Sequence, residues 1–301
     1  MPSLSVCVTA YDESRRGGCQ WIMECLKAAQ DNPHVDEIIV VNDGTPDWAY
    51  LACELAPIQK LRFVQNPARL HVFGNKLESV WQATSDWCLM CDSDNIMDRN
   101  YYDILAEQQP WEDDCWYCAS KANPTFDYRK FIGTWDRQTI LDIVARDASM
   151  YWCFVNTGNQ FIHRKTFLDI FGKYRGKRFD LEQPDYFKAE NRQDEKWFLA
   201  YGAQDSFFFM KEWLVAGNRV KCVDGLEYDH RIKTGDRSNY ERGPIEKCYL
   251  APAYYLELID AVNGEKHDYT FLSLSRSIAQ YIREDNKIVM LNMATGAAVF
   301  K

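Results

Sequence analysis

Apolar residues in this chain come in short unbroken runs, separated by amphipathic stretches and polar turns. Leu4-Ser-Val-Cys-Val-Thr9 is a β-branched run that ends at the polar Tyr11-Asp-Glu-Ser14. Between Gly18 and Gln30, the apolar residues Trp21, Ile22, Cys25, Leu26 and Ala29 follow helical spacing. Glu37-Ile-Ile-Val-Val41 reads as a second strand, stopped by the turn signal Asn42-Asp-Gly-Thr-Pro46. Leu51, Leu55 and Ile58 mark a helix, Leu61-Arg-Phe-Val64 a short strand, and residues 75–83 another helix. The strand Trp87–Cys91 then emerges abruptly into Asp92-Ser-Asp94. Continuously apolar strands alternating with helices predict a mostly parallel sheet covered on both faces. Ligands of such sheets bind beyond the carboxyl ends of the strands. Thr9/Tyr11/Asp12, Asn42/Asp43 and Asp92/Asp94 are therefore expected to meet along one rim.

The later half is less regular. Cys115–Ser120 predicts a strand, Gln138–Arg146 a helix and Asn159–His163 a short strand, while residues 172–193 read as a long polar loop. After Gly202 a helix runs through Trp213, followed by a strand Arg219–Val223 and a polar stretch Tyr228–Gly243. The remainder predicts two helices and a hairpin, Lys287–Phe300, turning near Thr295-Gly296.

Composition narrows the function classes. With 47% hydrophobic and 14% aromatic residues among 301, the chain is globular rather than disordered. A formal charge of −9 argues against broad attraction to nucleic acid or anionic membranes, and so disfavours a nucleic-acid substrate. Arg164, Lys165, Lys173, Arg175, Lys177 and Arg178 are the exception, and read either as an anion-contacting patch or as a solvated face. No basic-then-apolar leader opens the sequence and no run of about 18 apolar residues occurs, so no secretory signal or bilayer span is expected. Eleven scattered cysteines fit buried free thiols in a reducing compartment, which makes the cytoplasm the expected location. Cys88/Cys91 and Cys115/Cys118 have zinc-ligand spacing. Both pairs fall on expected strands, however, where residues i and i+3 point to opposite faces.

Two carboxylates separated by one residue, where a strand ends, suit a hard cation such as Mg²⁺ or Mn²⁺ that also takes phosphate oxygens. A polar turn that merely stops the strand is the competing reading. Ile96 and Met97 occupy positions where a calcium-binding loop of the EF-hand type needs an oxygen ligand and a glycine. No G-x-x-x-x-G-K-S/T phosphate loop occurs.

Ser5-Val-Cys-Val-Thr-Ala-Tyr-Asp-Glu13, Glu37-Ile-Ile-Val-Val-Asn-Asp-Gly-Thr45 and Met90-Cys-Asp-Ser-Asp-Asn95 together resemble family 2 glycosyltransferases of the GT-A fold. Tyr201-Gly-Ala-Gln-Asp205 is similar to that family's W-G-x-E-D segment, and Asp229-His230 to its late histidine, so the resemblance covers roughly residues 3–235. It implies an α/β GT-A fold, a mostly parallel central sheet with helices on both faces, and a small C-terminal helical and hairpin extension. The implied organisation is a transferase domain over 1–240, with a nucleotide-binding half (1–100) and an acceptor half (101–240), followed by the extension over 241–301.

Carried over by position, Thr9, Ala10 and Tyr11 would line the nucleotide base, with the Tyr11 ring stacking on uracil. Asp43 would accept a hydrogen bond from the base imide, favouring a UDP- or dTDP-sugar donor. Asp92, followed by Ser93, would face the ribose or a metal-bound water. Asp94 would ligate Mn²⁺ or Mg²⁺ with His230 and Asp92 completing its surroundings. Lys76 and Arg69 read either as contacts to the diphosphate or as solvated basic residues. Asp205 would be the general base for inverting transfer of a hexosyl or pentosyl group to an acceptor glycan or other hydroxyl compound. Two positions depart from the pattern: Asn42 replaces a first Asp, and Gln204 replaces the usual Glu. Asp180, Glu182 and Asp194 are substitutes for the base. Trp135, Trp152, Trp197 and Tyr201 are expected either to stack on a sugar or to pack in the core. The competing functions are a nucleotidyltransferase acting on a sugar phosphate, whose Gly-rich loop VTAYDESRRGG matches poorly, and an inactive nucleotide- or glycan-binding module.

Overall fold

The computed structural model of the chain describes residues 3–11, 19–44, 46–124, 126–146, 159–176, 204–231 and 260–265. Its first half alternates as the hydrophobic runs predict: β1 (Leu4–Ala10), α1 (Cys19–Gln30), β2 (Glu37–Asn42), α2 (Trp48–Leu55), β3 (Leu61–Gln65), α3 (His71–Gln82) and β4 (Trp87–Asp92). Then come β5 (Asn95–Ile96), α4 (Arg99–Glu107), β6 (Cys115–Asn123), β7 (Phe126–Asp127), β8 (Gly133–Trp135), α5 (Arg137–Arg146), β9 (Asn159–His163), α6 (Arg164–Phe171), α7 (Gln204–Val215) and β10 (Arg219–His230). By compactness the chain divides into two units. One comprises Met1–Thr134, Thr157–Arg178 and Val220–Lys233, and the other Trp135–Asn156, Phe179–Arg219 and Thr234–Lys301.

The sheet runs in the order β3-β2-β1-β4-β9-β6-β10-β5, with β7 beside β6 and β8 beside β10. β3, β2, β1 and β4 are parallel to their neighbours. β9 pairs antiparallel with both β4 and β6, and β10 antiparallel with β5, so the sheet is parallel only in its first half. Alternate residues explain its two covered faces. Leu4, Val6, Val8 and Ala10 join Ile38, Val40, Leu89 and Cys91 in one core with Ile22, Cys25 and Leu26 of α1 and Tyr101, Tyr102 and Leu105 of α4. α3 packs on β1, β2 and β4 and buries Phe73, Leu77 and Val80. Burial on both sides is why these strands carry no alternation. α4 starts where the Asp98 side chain accepts the Tyr101 N–H at 2.9 Å, a cap that stabilises by about 1 kcal/mol.

The amino ends of the parallel strands are fastened by one carboxylate. Glu37 Oε1 accepts hydrogen bonds from the Ser5 hydroxyl (2.6 Å), the Thr84 hydroxyl (2.8 Å) and the amides of Thr84 and Ser85. Burial pushes the Glu37 carboxyl up, but these donors together outweigh it and hold it below its ordinary value. A depressed folded value means the stabilisation is present above the unfolded pKa and is lost as pH falls through the folded one. Glu37→Gln should therefore cost about 1–3 kcal/mol at neutral pH and flatten the acid limb of the stability curve. Urea unfolding at a series of pH values measures both effects.

β10 continues further than its sequence suggests. The strand expected over Arg219–Val223 passes on through Asp224-Gly225, with Gly225 at φ +72°, and runs to His230. Both C-x-x-C pairs lie on strands, β4 and β6, and all nine cysteines among the described residues are free thiols. The basic cluster is a structural brace where it is described. Arg164 donates to the carbonyls of Val80 (3.1 Å) and Trp81 (3.0 Å), at the carboxyl end of α3. Arg175 grips Glu78 through two bonds of 2.9 and 3.1 Å and covers the Trp81 ring at 4.3 Å, while Lys165 pairs with Asp169. Lys177 and Arg178 lie outside the described residues, as do the hairpin 287–300, the acids Asp180, Glu182 and Asp194, and the aromatics Trp152, Trp197 and Tyr201. Trp135 is buried. No helix among the described residues is long and apolar enough to cross a membrane.

Candidate active site

Parallel register draws the three strand ends to one line. Thr9 on β1 stands opposite Val41 on β2 and Asp92 on β4, and Ala10 stands opposite Asn42. Everything that leaves these strands next, including Tyr11, Asp43 and Ser93-Asp94, departs from the same edge of the sheet. Thr9 donates its hydroxyl to Asp92 Oδ1 at 3.3 Å. Lys76 reaches the same carboxylate from α3, with Nζ 3.1 Å from Oδ1 and 3.5 Å from Oδ2. The Lys76 side chain is 1% exposed and that of Asp92 34%. Ser93 is buried and Asp94 half-buried.

Asp43 is the most enclosed acid of the rim, at 3% exposure. Its Oδ1 accepts the Leu70 N–H at 2.6 Å and the Asn66 side-chain amide at 3.4 Å, and its Oδ2 lies 3.9 Å from Arg69 Nε. Asn66 in turn donates to Asn75 Oδ1 (2.9 Å), and Asn75 donates to the Val41 carbonyl (3.2 Å). Burial pushes the Asp43 carboxyl above its ordinary value, against the opposing pull of the Leu70 N–H, Asn66, Arg69 and His71. The Arg69 guanidinium also lies over the Tyr11 ring, 4.1 Å from its centre, linking the first two loops. Gly44 has φ +71°, and a Cβ there would sit 2.6 Å from backbone atoms of Ala68 and Arg69, so the turn after Asp43 admits no side chain. Asn42, the first departure from the family pattern, is fully buried and donates to Gln65 Oε1 at 2.8 Å. A neutral amide suits that position, where a carboxylate would bring an enclosed charge against an acceptor.

His230 reaches the rim through the unexpected length of β10. The β5–β10 pairing sets His230 opposite Asn95, the residue after Asp94, and Asp229 opposite Ile96. The Arg231 N–H donates to the Asp94 carbonyl at 3.2 Å, and Asn95 donates its side-chain amide to Asn159 at 2.9 Å. Arg231 is also ion-paired with Glu24 of α1 and lies 5.1 Å from the Trp21 ring. The helper residues Arg231, Asn66, Asn75 and Asn159 were not singled out from the sequence. The available signal was polar side chains at positions whose neighbours predict burial. Asp205 is the second residue of α7, at the helix start its sequence context predicts, and belongs to the second unit.

Among the described residues no three His, Cys, Asp or Glu converge as a ready metal-ligand set. What the rim offers instead is two carboxylates one residue apart, with a histidine on the strand beside them. That partial set, two carboxylates and an imidazole, fits a divalent cation that takes its remaining ligands from phosphate oxygens.

Residues 5–214 match Glycosyl transferase family 2. The chain belongs to this family. No protein of curated function matches it. Solved structures of family 2-like glycosyltransferases share its fold at low identity. The mannosyltransferase PcManGT from Pyrobaculum calidifontis, in complex with GDP-Man and Mn²⁺, is 14% identical over 98% of this chain and 73% of its own, with a TM-score of 0.55. S. aureus TarS 1–349 in complex with UDP is 14% identical over 97% of this chain and 80% of its own, with a TM-score of 0.53. The same protein in complex with UDP-GlcNAc gives 12%, 98%, 81% and 0.51. The family 2 chain thus has the GT-A architecture: a large central sheet with helices, and its strand-end rim at the carboxyl edge.

Proposed function

We propose that this family 2 glycosyltransferase moves a sugar from a UDP- or dTDP-sugar to a hydroxyl of an acceptor glycan or another hydroxyl compound, with inversion and with Mn²⁺ or Mg²⁺. The observation that carries the reading is the alignment of Thr9, Asn42-Asp43 and Asp92 on one sheet edge, with buried Lys76 on the Asp92 carboxylate. The complexes of PcManGT with GDP-Man and Mn²⁺ and of TarS with UDP-GlcNAc support a nucleotide-sugar donor and a divalent cation.

In this reading Thr9, Ala10 and Tyr11 form the wall of the base pocket. Asp43 has Oδ1 committed to Leu70 and turns Oδ2 toward Arg69, which suits it to accept the imide N–H of uracil or thymine. A guanine or adenine base presents a different edge, and this is the argument for a pyrimidine. Asp92 and Ser93 take the ribose side, Arg69 supplies positive charge toward the diphosphate, and Lys76, enclosed against Asp92, bears on the donor through that carboxylate. Asp94 and His230, with Asp92 nearby, would hold the cation. When bound, that cation neutralises charge growing on the nucleoside diphosphate leaving group. Asp205 receives the proton of the acceptor hydroxyl as its oxygen attacks the anomeric carbon. Free thiols along the sheet fit work in the reducing cytoplasm.

A thermal-shift panel tests the reading, with Mn²⁺ and UDP, dTDP, GDP, ADP or CTP. UDP or dTDP at 100 times its Kd should add about 2.7 kcal/mol, only when the metal is present. Preference for GDP, or for the nucleoside triphosphate, defeats it.

A further inference from the structure

Lys76 occupies a position that a lysine seldom takes. Ammonium groups are almost never fully enclosed unless paired, and this one is 1% exposed with both oxygens of Asp92 within 3.5 Å. The Thr9 hydroxyl adds a third contact to the same carboxylate. Enclosure lowers the local dielectric and strengthens the attraction between opposite charges. One of the two carboxylates at the strand end is thus neutralised within the fold. A hard divalent cation takes six or more oxygens, drawn from carboxylates, water and phosphate. Among the described residues no three candidate ligands converge to supply them.

We propose that Lys76 keeps Asp92 in an internal ion pair, so that the protein alone is a poor cation site and cation and nucleotide diphosphate enter as a coupled pair. The inference rests on the donor and cation site proposed above and adds to it a residue that sets the order of assembly. Linkage makes the coupling reciprocal: whatever factor UDP gives to Mn²⁺ affinity, Mn²⁺ gives to UDP affinity.

Mn²⁺ binding to the full chain, followed by electron paramagnetic resonance at fixed pH and ionic strength, tests it with and without saturating UDP. In the parent, UDP should tighten Mn²⁺ by about tenfold or more, and Mn²⁺ should tighten UDP by the same factor. Lys76→Met keeps the length of the side chain and removes its charge. It should raise affinity for Mn²⁺ alone by about tenfold and shrink the coupling. Lys76→Arg keeps the charge and should restore weak binding of Mn²⁺ alone. If Lys76→Met fails to fold, Lys76→Gln, which also removes the charge, is read in the same way. Equal parent affinity for Mn²⁺ with and without UDP, where the added UDP is shown to be bound, overturns the proposal, as does a folded methionine variant with parental affinity for Mn²⁺ alone. Failure of the donor reading looks different: UDP does not bind at any Mn²⁺ concentration, whereas Lys76→Met still binds Mn²⁺ more tightly than the parent.

Discussion

Asp94→Ala is expected to abolish the metal-dependent stabilisation by UDP and to lower sugar transfer by about 10²–10³-fold, the scale of loss when the stabilisation of developing charge, here by the cation Asp94 would hold, is removed. The backbone gives this variant its value. Asp94 is held through its carbonyl by the Arg231 N–H, and the next residue, Asn95, is tied to Asn159 and paired with His230. These backbone and neighbouring contacts pin the turn from outside the Asp94 side chain, so removing the carboxylate leaves them in place. Unfolding of the ligand-free variant beside the parent checks that the fold is retained. Calorimetric titration with UDP and Mn²⁺, beside a donor-hydrolysis assay, separates the two outcomes. A variant that binds UDP with Mn²⁺ as the parent does removes Asp94 from the cation site.

Asp205→Asn should do the opposite: retain donor binding and lose transfer. A positioned carboxylate that takes the proton of an alcohol contributes about 10²–10⁴ in rate, and the amide cannot take it. Asp205 is the second residue of α7, where unsatisfied backbone N–H groups favour a negative charge. Part of any effect could therefore be helix stability, and asparagine controls for it because it also serves well near a helix start. The KM for donor should hold while kcat falls, and the pH-rate profile should lose the limb owed to the base. Unchanged turnover would remove Asp205 and direct attention to Asp180, Glu182 and Asp194.

The parallel half of the fold was legible because enclosure on two faces leaves its mark as uninterrupted apolar runs. Its rim followed, since parallel strands of similar length bring their carboxyl ends level. Beyond β4 the sequence carried less. Periodicity reports which side of a strand is covered but not which neighbour it pairs with, so the antiparallel β9, β6 and β10 were not distinguishable from a continuing parallel set. Asp224-Gly225 has the chemistry of a turn, and the strand passes through it because glycine accepts the positive φ. The arginines of the basic cluster could not be assigned from spacing alone, because their partners, Glu78 and the carbonyls of Val80 and Trp81, lie far away in sequence. Lys76 was visible as a basic residue on a helix, which normally means a solvated one. Only its burial against Asp92 marks it out.

The carboxylate knot around Glu37 lies at the opposite end of β2 from Asn42-Asp43, five residue steps and so about 16 Å away. Robustness and chemistry thus occupy different borders of one molecule. A lesion at the floor should soften the protein while leaving each surviving copy fully competent, which supplies a ready yardstick for separating broken catalysts from unfolded ones. Sequence drift at Ser5, Glu37 or Thr84 would by the same reasoning set the temperature range of the enzyme without altering what it makes.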